Sequence, residues 1–368
     1  MIRLIPISLY FLISLLAIFK APTYHLWLLA VLVTEFPLIF AGITTLLTVW
    51  GIWVQLAGML IGVMAVLLFF SPIVSAYIIS SSLKPGLAAA FGKDNNNAQP
   101  FSLGKLFAGN KDVPYNTATY VTYRDTTLTL DFYPSQIPGK RPCVIVIHGG
   151  SWSTGDSKQL PGLNSHLAKL GYNVAAINYR MAPKYHNPAA VNDTEAALKY
   201  LHEHAAELKI DTNNFVLLGR SAGAQIALLA AYMLHNKGIK GVIDFYGPAD
   251  MVWGYSAPAS PLVMDSRGVM ESYLGGTYKQ VPHNYVASSP IEFVNRLSVP
   301  TLIIHGYNDV LVAYEHSRRL NEKLQQNGIK HYWLKLPWAT HGFDYNLNGP
   351  SGQLSTYAVD GFLKAITK

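Results

Sequence analysis

Residues 215–234 predict a buried strand, a tight turn and a helix in direct succession. Four apolar residues lead into Gly219-Arg220-Ser221-Ala222-Gly223, and an apolar run from Ile226 to Leu234 follows. Such a turn forces Ser221 into a strained backbone conformation, and only glycine at the two flanking positions lets the chain pass so closely. The stretch therefore predicts a serine hydroxyl held above the edge of a sheet.

Ser221 would lie at the amino end of the predicted helix, where unpaired N–H groups favour developing negative charge. The N–H of Ala222 would point to the place where an oxyanion forms. A serine in this position needs only a base to become a nucleophile. A purely structural turn is the alternative, and the strand before the motif and the helix after it favour catalysis.

Strand-like and helix-like segments alternate from about residue 118 to the end of the chain. The predicted strands are Tyr120–Tyr123, Leu128–Tyr133, Cys143–Ile147, Asn173–Asn178, Phe215–Leu218, Gly241–Phe245, Thr301–Ile304 and His331–Leu336. The predicted helices are Ser157–Leu170, Ala189–Leu208, Ala222–His235, Ala313–Gln326 and Leu354–Ile366. This α/β alternation predicts a mostly parallel eight-stranded sheet with helices on both faces, an antiparallel pair at its start, and functional residues at the carboxyl ends of the strands.

An acid and a histidine follow the last two predicted strands. Asp309 lies just beyond the seventh strand and His341 on the loop after the eighth, so the chain order is serine, acid, histidine. His341 would take the serine proton and return it to the leaving group, while Asp309 would fix the tautomer of the imidazole. Asp244, inside a strand, and Asp250, after an earlier strand, are the alternative acids.

A second glycine-containing loop follows the third predicted strand. The apolar strand runs into His148-Gly149-Gly150, where two glycines let backbone N–H groups approach a substrate oxygen. An ordinary strand-ending turn is the alternative, which the serine turn and His341 make less favourable. We expect His148 to brace this loop through hydrogen bonds rather than to act as the base.

These motifs together resemble the α/β-hydrolase esterases of the hormone-sensitive-lipase-like and feruloyl-esterase-like groups. The motifs are His148-Gly149-Gly150-Ser151-Trp152, Asn178-Tyr179-Arg180-Met181-Ala182-Pro183, Pro188-Ala189-Ala190-Val191, Gly219–Gly223, Asp309 and His341-Gly342-Phe343. The resemblance extends from about residue 118 to the end and implies an α/β-hydrolase fold and ester hydrolysis. It also implies oxyanion donors at Gly150, Ser151 and Ala222, with Ser151 in the place where these families usually have a third glycine.

The first 83 residues are nearly uncharged. Their only Asp, Glu, Lys or Arg side chains are those of Arg3, Lys20 and Glu35. A bilayer crossing needs about 20 apolar residues. We therefore predict a transmembrane helical anchor at 1–83 with about three spans, near 4–19, 26–48 and 55–79, and a tight turn around Gly51 and Gln55. A cleaved signal peptide is less favoured because no small-x-small site follows the first run.

Glu35 falls inside the second predicted span, where an ionisable residue usually faces a partner helix or water. The alternative is a shifted span that leaves Glu35 near the membrane interface. After the anchor, residues 84–117 are predicted to form a polar linker, followed by a catalytic domain at 118–368.

Basic residues next to the predicted spans indicate the side of the membrane on which the catalytic domain lies. Lys20 and His25 would share a side with Lys84 and Lys93, and the positive-inside rule makes that side cytoplasmic. Arg3 would oppose this assignment. Together with the anchor, the pattern predicts an integral membrane protein with a cytoplasmic catalytic domain. The architecture, with the 148–156 stretch, is also similar to that of membrane isoprenylcysteine methylesterases.

Residues 251–293 form an insertion rich in aromatic residues and methionine, which are Trp253, Tyr255, Met264, Met270, Tyr273, Tyr278 and Tyr285. Such an insertion after a strand of a hydrolase sheet predicts a cap over the catalytic serine that lines an apolar pocket. The alternative is an aromatic cluster that only buries itself on the surface of the domain.

The distribution of charge and the motifs in the sequence exclude some classes of function. The formal net charge of +7 is not clustered, which argues against a nucleic-acid partner. His202 and His204 lie on different faces of a helix, and no phosphate-binding loop follows a strand, so neither a metal nor a cofactor is expected.

The sequence thus predicts a membrane-anchored serine carboxylesterase or lipase-like hydrolase for small-molecule or lipid esters, with the lipid bilayer as its other partner. An acyltransferase or an amidase, including arylformamidase-like chemistry, would use the same three residues. A non-catalytic membrane-tethered binding protein with a hydrolase fold is the alternative from another class. The sequence leaves the oligomeric state open.

Overall fold

The computed structural model describes residues 4–50, 56–92, 98–109 and 111–367. The helices are α1 (Leu4–Ser14), α2 (Tyr24–Glu35), α3 (Pro37–Val49), α4 (Leu56–Phe91), α5 (Pro161–Lys169), α6 (Ala189–Glu203), α7 (Ala222–Met233), α8 (Met251–Ser256), α9 (Ser266–Leu274), α10 (Pro282–Ala287), α11 (Glu315–Gln326) and α12 (Pro350–Ile366). The strands are β1 (Asn116–Thr122), β2 (Thr127–Tyr133), β3 (Arg141–Ile147), β4 (Asn173–Ile177), β5 (Ile210–Arg220), β6 (Ile239–Phe245), β7 (Thr301–Gly306) and β8 (His331–Leu336). Arg3, Lys93 and the turn predicted at Gly51 and Gln55 lie outside the described residues.

The eight strands form one sheet in the order β1-β2-β4-β3-β5-β6-β7-β8. β1 pairs antiparallel with β2 and β2 antiparallel with β4, whereas all the later pairs are parallel. The prediction of a mostly parallel sheet with an antiparallel start is therefore confirmed. Since β5 lies in the middle, the turn after it opens at the centre of the carboxyl edge.

The sheet separates two apolar layers. Along β5, Phe215 and Leu217 belong to one buried cluster, while Val216 and Leu218 belong to the other. Successive side chains of a strand point to opposite faces, and a central parallel strand is buried on both of them. This explains why 215–218 is a continuous apolar run rather than an alternating one.

The amino-terminal region differs from the three predicted spans. α1 has only 11 residues, and α2 and α3 meet at an angle of 88° at Phe36. Pro37 begins α3, where its missing N–H costs nothing, and it disfavours helical geometry at the residue before it. Among the described ranges, one helix, α4, is long and apolar enough to cross a membrane, and a second only if the bent pair α2–α3 counts as one span.

Helix α4 also differs from its predicted boundaries. It continues to Phe91, eight residues into the segment 84–117 that we predicted as a linker, and β1 begins at Asn116. Ile73, Ala76, Leu83 and Leu87 on one face of α4 belong to the same buried cluster as the sheet. The carboxyl-terminal half of α4 is therefore packed against the domain that contains the sheet.

Glu35 contacts α12, the last helix of the chain. Oε2 of its buried carboxyl group accepts a hydrogen bond from the N–H of Ser351 at 3.2 Å, in the first turn of α12. Its backbone carbonyl accepts another from Asn346 Nδ2 at 2.9 Å. The N–H groups in the first turn of a helix have no acceptor within the helix, and the carboxyl oxygen of Glu35 supplies one. Glu35 therefore caps α12.

Candidate active site

Ser221 lies in a sharp turn between β5 and α7, with φ 53° and ψ −120°. A side chain on Gly219 would place its Cβ 2.2 Å from the Gly223 carbonyl oxygen, and one on Gly223 would place it 2.2 Å from the Ile147 carbonyl oxygen. Both distances are far below van der Waals contact, so only glycine fits at either position. The strained turn predicted from the sequence is confirmed.

The structure brings Ser221, His341 and Asp309 together at the carboxyl edge of the sheet. His341 Nε2 lies 2.9 Å from Ser221 Oγ, and His341 Nδ1 lies 2.7 Å from Asp309 Oδ2. The two alternative acids make other contacts: Asp244 accepts a hydrogen bond from a backbone N–H in the turn after β6, and Asp250 caps α8. The arrangement can pass a proton from the serine hydroxyl to the imidazole while a carboxylate orients the ring.

The Asp309 carboxylate is fully occupied by hydrogen bonds. Oδ1 accepts from the backbone N–H groups of Leu311 and Val312, both at 2.9 Å. Oδ2 contacts His305 Nε2 at 3.2 Å as well as His341. Burial by itself raises the pKa of Asp309, but the charge of His341 and the hydrogen bonds from both histidines hold this pKa well below its usual range. Asp309 is therefore ionised and can stabilise a protonated imidazole.

His305 was not among the predicted site residues. It lies inside β7, and its other ring nitrogen, Nδ1, is 2.6 Å from Ser317 Oγ. The only signal in the sequence is its position four residues before Asp309, which has no meaning until the turn after β7 is known.

The loop after β3 passes directly beside Ser221. A Cβ on Gly149 would lie 3.3 Å from Ser221 Cβ, and Gly150 and Ser151 both have positive φ, 121° and 54°. Within the described part of the chain, no group accepts a hydrogen bond from the N–H of Gly150, Ser151 or Ala222. Ser151 and Ala222 line the same cavity as Ser221. These N–H groups are therefore available to a bound oxygen.

His148 supports this loop through its ring. Its Nδ1 lies 2.7 Å from the Gly149 carbonyl oxygen, and its ring stacks on Tyr179 with 4.3 Å between the centroids. The Tyr179 hydroxyl donates to the His148 carbonyl oxygen at 3.2 Å. Burial lowers the pKa of His148, so the ring is neutral.

A buried ion pair connects the serine turn to the histidine loop. Arg220 donates from Nε to Asp344, and the hydroxyl of Tyr246 donates to the other oxygen of the same carboxylate. The Tyr246 ring lies against the His341 ring, with 4.4 Å between the centroids. The sequence shows only that a charged residue precedes Ser221 in a buried turn, and its partner, 124 positions away, could not be predicted.

A cavity of about 550 Å³ opens above Ser221. The predicted insertion contributes α8, α9 and α10, and its residues between Gly254 and Met270 form much of the wall. Met264 and Met270 line the cavity, whereas Tyr273 stacks on Trp152 at 4.4 Å between centroids. Lys20, Ala21 and Pro22 of the amino-terminal region also line it, which the sequence did not predict. Within the ranges described, no cluster of three or more His, Cys, Asp or Glu side chains could hold a metal ion.

The loss of folding stability at acid pH is expected to depend on His316, which lines the same cavity. Burial, followed by nearby positive charge, lowers its pKa to about 3. The unfolded chain binds a proton on this residue below about pH 6.5, while the folded chain does not bind it until about pH 3. Stability is therefore lost as the pH falls through this window, by about 3 kcal/mol at pH 4.

Replacing His316 with glutamine should flatten this part of the profile. The measurement is the thermal midpoint of the detergent-solubilised protein between pH 7 and pH 4. The exposed His202→Gln serves as the matched control and should keep the wild-type slope. Equal slopes in wild type and His316→Gln would contradict the assignment.

A serine in a strained turn after the central strand of a mostly parallel sheet, with an acid and a histidine on later loops, defines an α/β-hydrolase. The profile of the BD-FAE family matches residues 130–324, just over half of the chain. The chain belongs to the BD-FAE family, within the esterase group of the α/β-hydrolases. The resemblance seen in the sequence is therefore confirmed.

Known proteins extend this likeness over the catalytic domain. Esterase LipQ of Mycobacterium tuberculosis is 28% identical over 273 residues, which cover 70% of this chain and 63% of LipQ. The probable isoprenylcysteine alpha-carbonyl methylesterase ICMEL1 of Arabidopsis thaliana is 26% identical over 58% of this chain and 48% of its own length. The match thus spans less than two thirds of either relative. The native structure of esterase Est2 from Thermogutta terrifontis shares the fold, with a TM-score of 0.56 and 21% identity over 67% of this chain and 89% of Est2.

Proposed function

We propose that this chain is a carboxylic ester hydrolase that works through an acyl-enzyme on Ser221. The observation that carries the proposal is the continuous contact from Ser221 Oγ to His341 Nε2 and from His341 Nδ1 to Asp309 Oδ2. The ionised Asp309 keeps a proton on Nδ1, which leaves Nε2 free to accept the serine proton. The names of relatives such as LipQ support the same class of reaction.

The reaction consists of two acyl transfers. Ser221 Oγ attacks the ester carbonyl carbon as its proton moves to His341, and the N–H groups of Gly150, Ser151 and Ala222 stabilise the oxyanion. The C–O bond to the alcohol then breaks, and His341 gives its proton to the departing oxygen. Water attacks the acyl-enzyme with His341 as the base, which releases the carboxylic acid and restores the serine hydroxyl.

The proposed substrates are apolar or amphiphilic esters, and the amino-terminal helices hold the enzyme at the bilayer where such esters dissolve. Large apolar side chains of α4 are exposed along the face that does not touch the sheet: Leu56, Leu60, Val63, Met64, Leu67, Val74, Tyr77 and Ile78. A contiguous apolar surface of this kind favours lipid over water. Lys20 lies on the catalytic side of this region, which under the positive-inside rule supports a cytoplasmic catalytic domain.

Hydrolysis of p-nitrophenyl esters from acetate to palmitate, by the full chain in detergent, tests the proposed reaction. We expect turnover with an optimum at an intermediate acyl length, because the cavity of about 550 Å³ is bounded by the cap. Folded protein that hydrolyses no member of the series and does not react with a fluorophosphonate would contradict the proposal and favour a binding protein. Added butanol and a matched anilide distinguish acyl transfer and amide cleavage from hydrolysis.

Membrane attachment is tested separately. The full chain should stay with the membrane pellet after a carbonate wash, because the exposed apolar face of α4 is held by lipid rather than by charge. Replacing Leu60 and Leu67 with asparagine should weaken this retention, whereas the same change at the exposed Leu297, after α10, should not. Release of the wild type by carbonate would contradict the proposed anchor.

A further inference from the structure

Helix α2 contacts three separate parts of the catalytic domain around His341. Near its start, the N–H of Tyr24 donates to the carbonyl of Leu262 in the cap at 3.1 Å. In its first turns, Trp27 Nε1 donates to the carbonyl oxygen of His341 at 3.0 Å. At its end, Glu35 caps α12. A helix that only crossed a bilayer would have no reason to make these polar contacts.

Trp27 is the contact nearest to the chemistry. Its indole lies 6.4 Å from the His341 ring between centroids, in addition to the hydrogen bond to the backbone of the same residue. The Tyr24 ring packs on the indole at 5.2 Å. His341 lies on a loop, so its position depends on such external contacts more than that of a residue inside a strand would.

The turn before α2 forms part of the wall of the cavity above Ser221. Lys20, Ala21 and Pro22 line the cavity together with residues of the cap, and Ala21 is buried. A buried small residue in a cavity wall sets how much space remains, because a larger side chain there would fill it.

We infer that residues 20–35 are part of the active site: Trp27 is a positioning residue for His341, and Ala21 limits the length of the acyl group that the cavity accepts. This inference rests on the proposed esterase function. The indole N–H holds the His341 backbone so that Nε2 stays within reach of Ser221 Oγ. A misplacement of about 1 Å at a reacting group can lower a rate by about a hundredfold.

Trp27→Phe removes the N–H donor and keeps an aromatic ring, so it tests the positioning role. We expect kcat for p-nitrophenyl butyrate to fall by about 10- to 100-fold, with KM within about twofold because Trp27 does not line the cavity. Trp333→Phe is the matched control, since its indole N–H has no hydrogen-bond acceptor within the described residues. A smaller folded fraction would also lower the apparent kcat at constant KM, so kcat is expressed per active site titrated with a fluorophosphonate.

Amide hydrogen exchange of the segment 338–346 gives a readout that does not need turnover. Trp27→Phe should exchange faster in this segment than wild type or Trp333→Phe, because the His341 loop loses a tether. The positioning role is overturned if both variants match in kcat and in exchange. Failure of the wild type to hydrolyse any ester would count against the proposed function alone, while the exchange result would still decide the role of Trp27.

Ala21→Leu tests whether Ala21 limits the length of the acyl group that the cavity accepts. We expect the optimum of the p-nitrophenyl series to move to shorter chains while acetate is hydrolysed within about threefold of wild type, because the added carbons take up cavity space that only the longer acyl groups need. Leu9→Ile, at an exposed position on α1, is the control for general perturbation of the amino-terminal region. An unchanged chain-length profile in a folded Ala21→Leu protein would overturn this part.

Discussion

Replacing Ser221 with alanine is expected to lower kcat/KM by about a millionfold, because Ser221 is the only nucleophile in the proposed mechanism and its loss removes the acyl-enzyme step. The side chain of Ser221 contacts His341, so the substitution removes one hydrogen bond. The fold should be kept, since alanine adds no atom to the tight turn. The measurement is the p-nitrophenyl butyrate rate together with covalent labelling by a fluorophosphonate.

Ser256→Ala is the matched control because Ser256 is an exposed serine at the end of α8 in the cap and does not line the cavity. It should label as wild type does and stay within about threefold in rate, as expected for a surface substitution away from the chemistry. Labelling of Ser221→Ala at the wild-type rate would mean that the reactive serine lies elsewhere in the chain.

Asp309→Asn is expected to lower kcat by about 10,000-fold, through the wrong tautomer of His341. Because Oδ1 accepts from two backbone N–H groups, the asparagine must keep its carbonyl oxygen there. Its NH₂ then occupies the place of Oδ2 and donates to His341 Nδ1. The proton of the imidazole is forced onto Nε2, which faces Ser221 and can no longer accept the serine proton.

The same substitution at Asp250, one of the two alternative acids considered from the sequence, provides the control for Asp309→Asn. Asp250→Asn should keep activity within a few fold, because asparagine caps a helix about as well as aspartate does. The kcat of both variants is measured on one ester at one pH with matched thermal midpoints. Equal losses in the two variants would mean that the assignment of Asp309 as the acid is wrong. A loss confined to Asp250→Asn would mean that Asp250, and not Asp309, is the partner of His341.

The sheet and the three central residues could be predicted because their signals are local. A buried strand before Ser221 and an apolar helix after it fix the turn within a dozen residues, and Asp309 and His341 each follow a recognisable strand. Parallel strands bring their carboxyl ends to one edge, so chain order alone was enough to predict that the three side chains meet. The glycine requirement at 219 and 223 follows from the same close approach.

The contacts of the amino-terminal region could not be predicted, for a physical reason. An apolar helix has the same composition whether lipid or protein covers it, so α2 was predicted as part of a span. Trp27 and His341 are 314 positions apart, and Arg220 and Asp344 are 124 apart. Pairings of this range depend on how whole elements pack, which periodicity does not encode.

Helix α4 packs the amino-terminal region against the sheet, so we expect the two to unfold as one cooperative unit. Because Ile73, Ala76, Leu83 and Leu87 belong to the same buried cluster as the strands, removing the helix would open that cluster to water. We therefore expect that the catalytic domain cannot be separated from the amino-terminal helices without unfolding. Heat should unfold both regions in a single transition, and proteolysis of the native protein should not liberate an active soluble fragment.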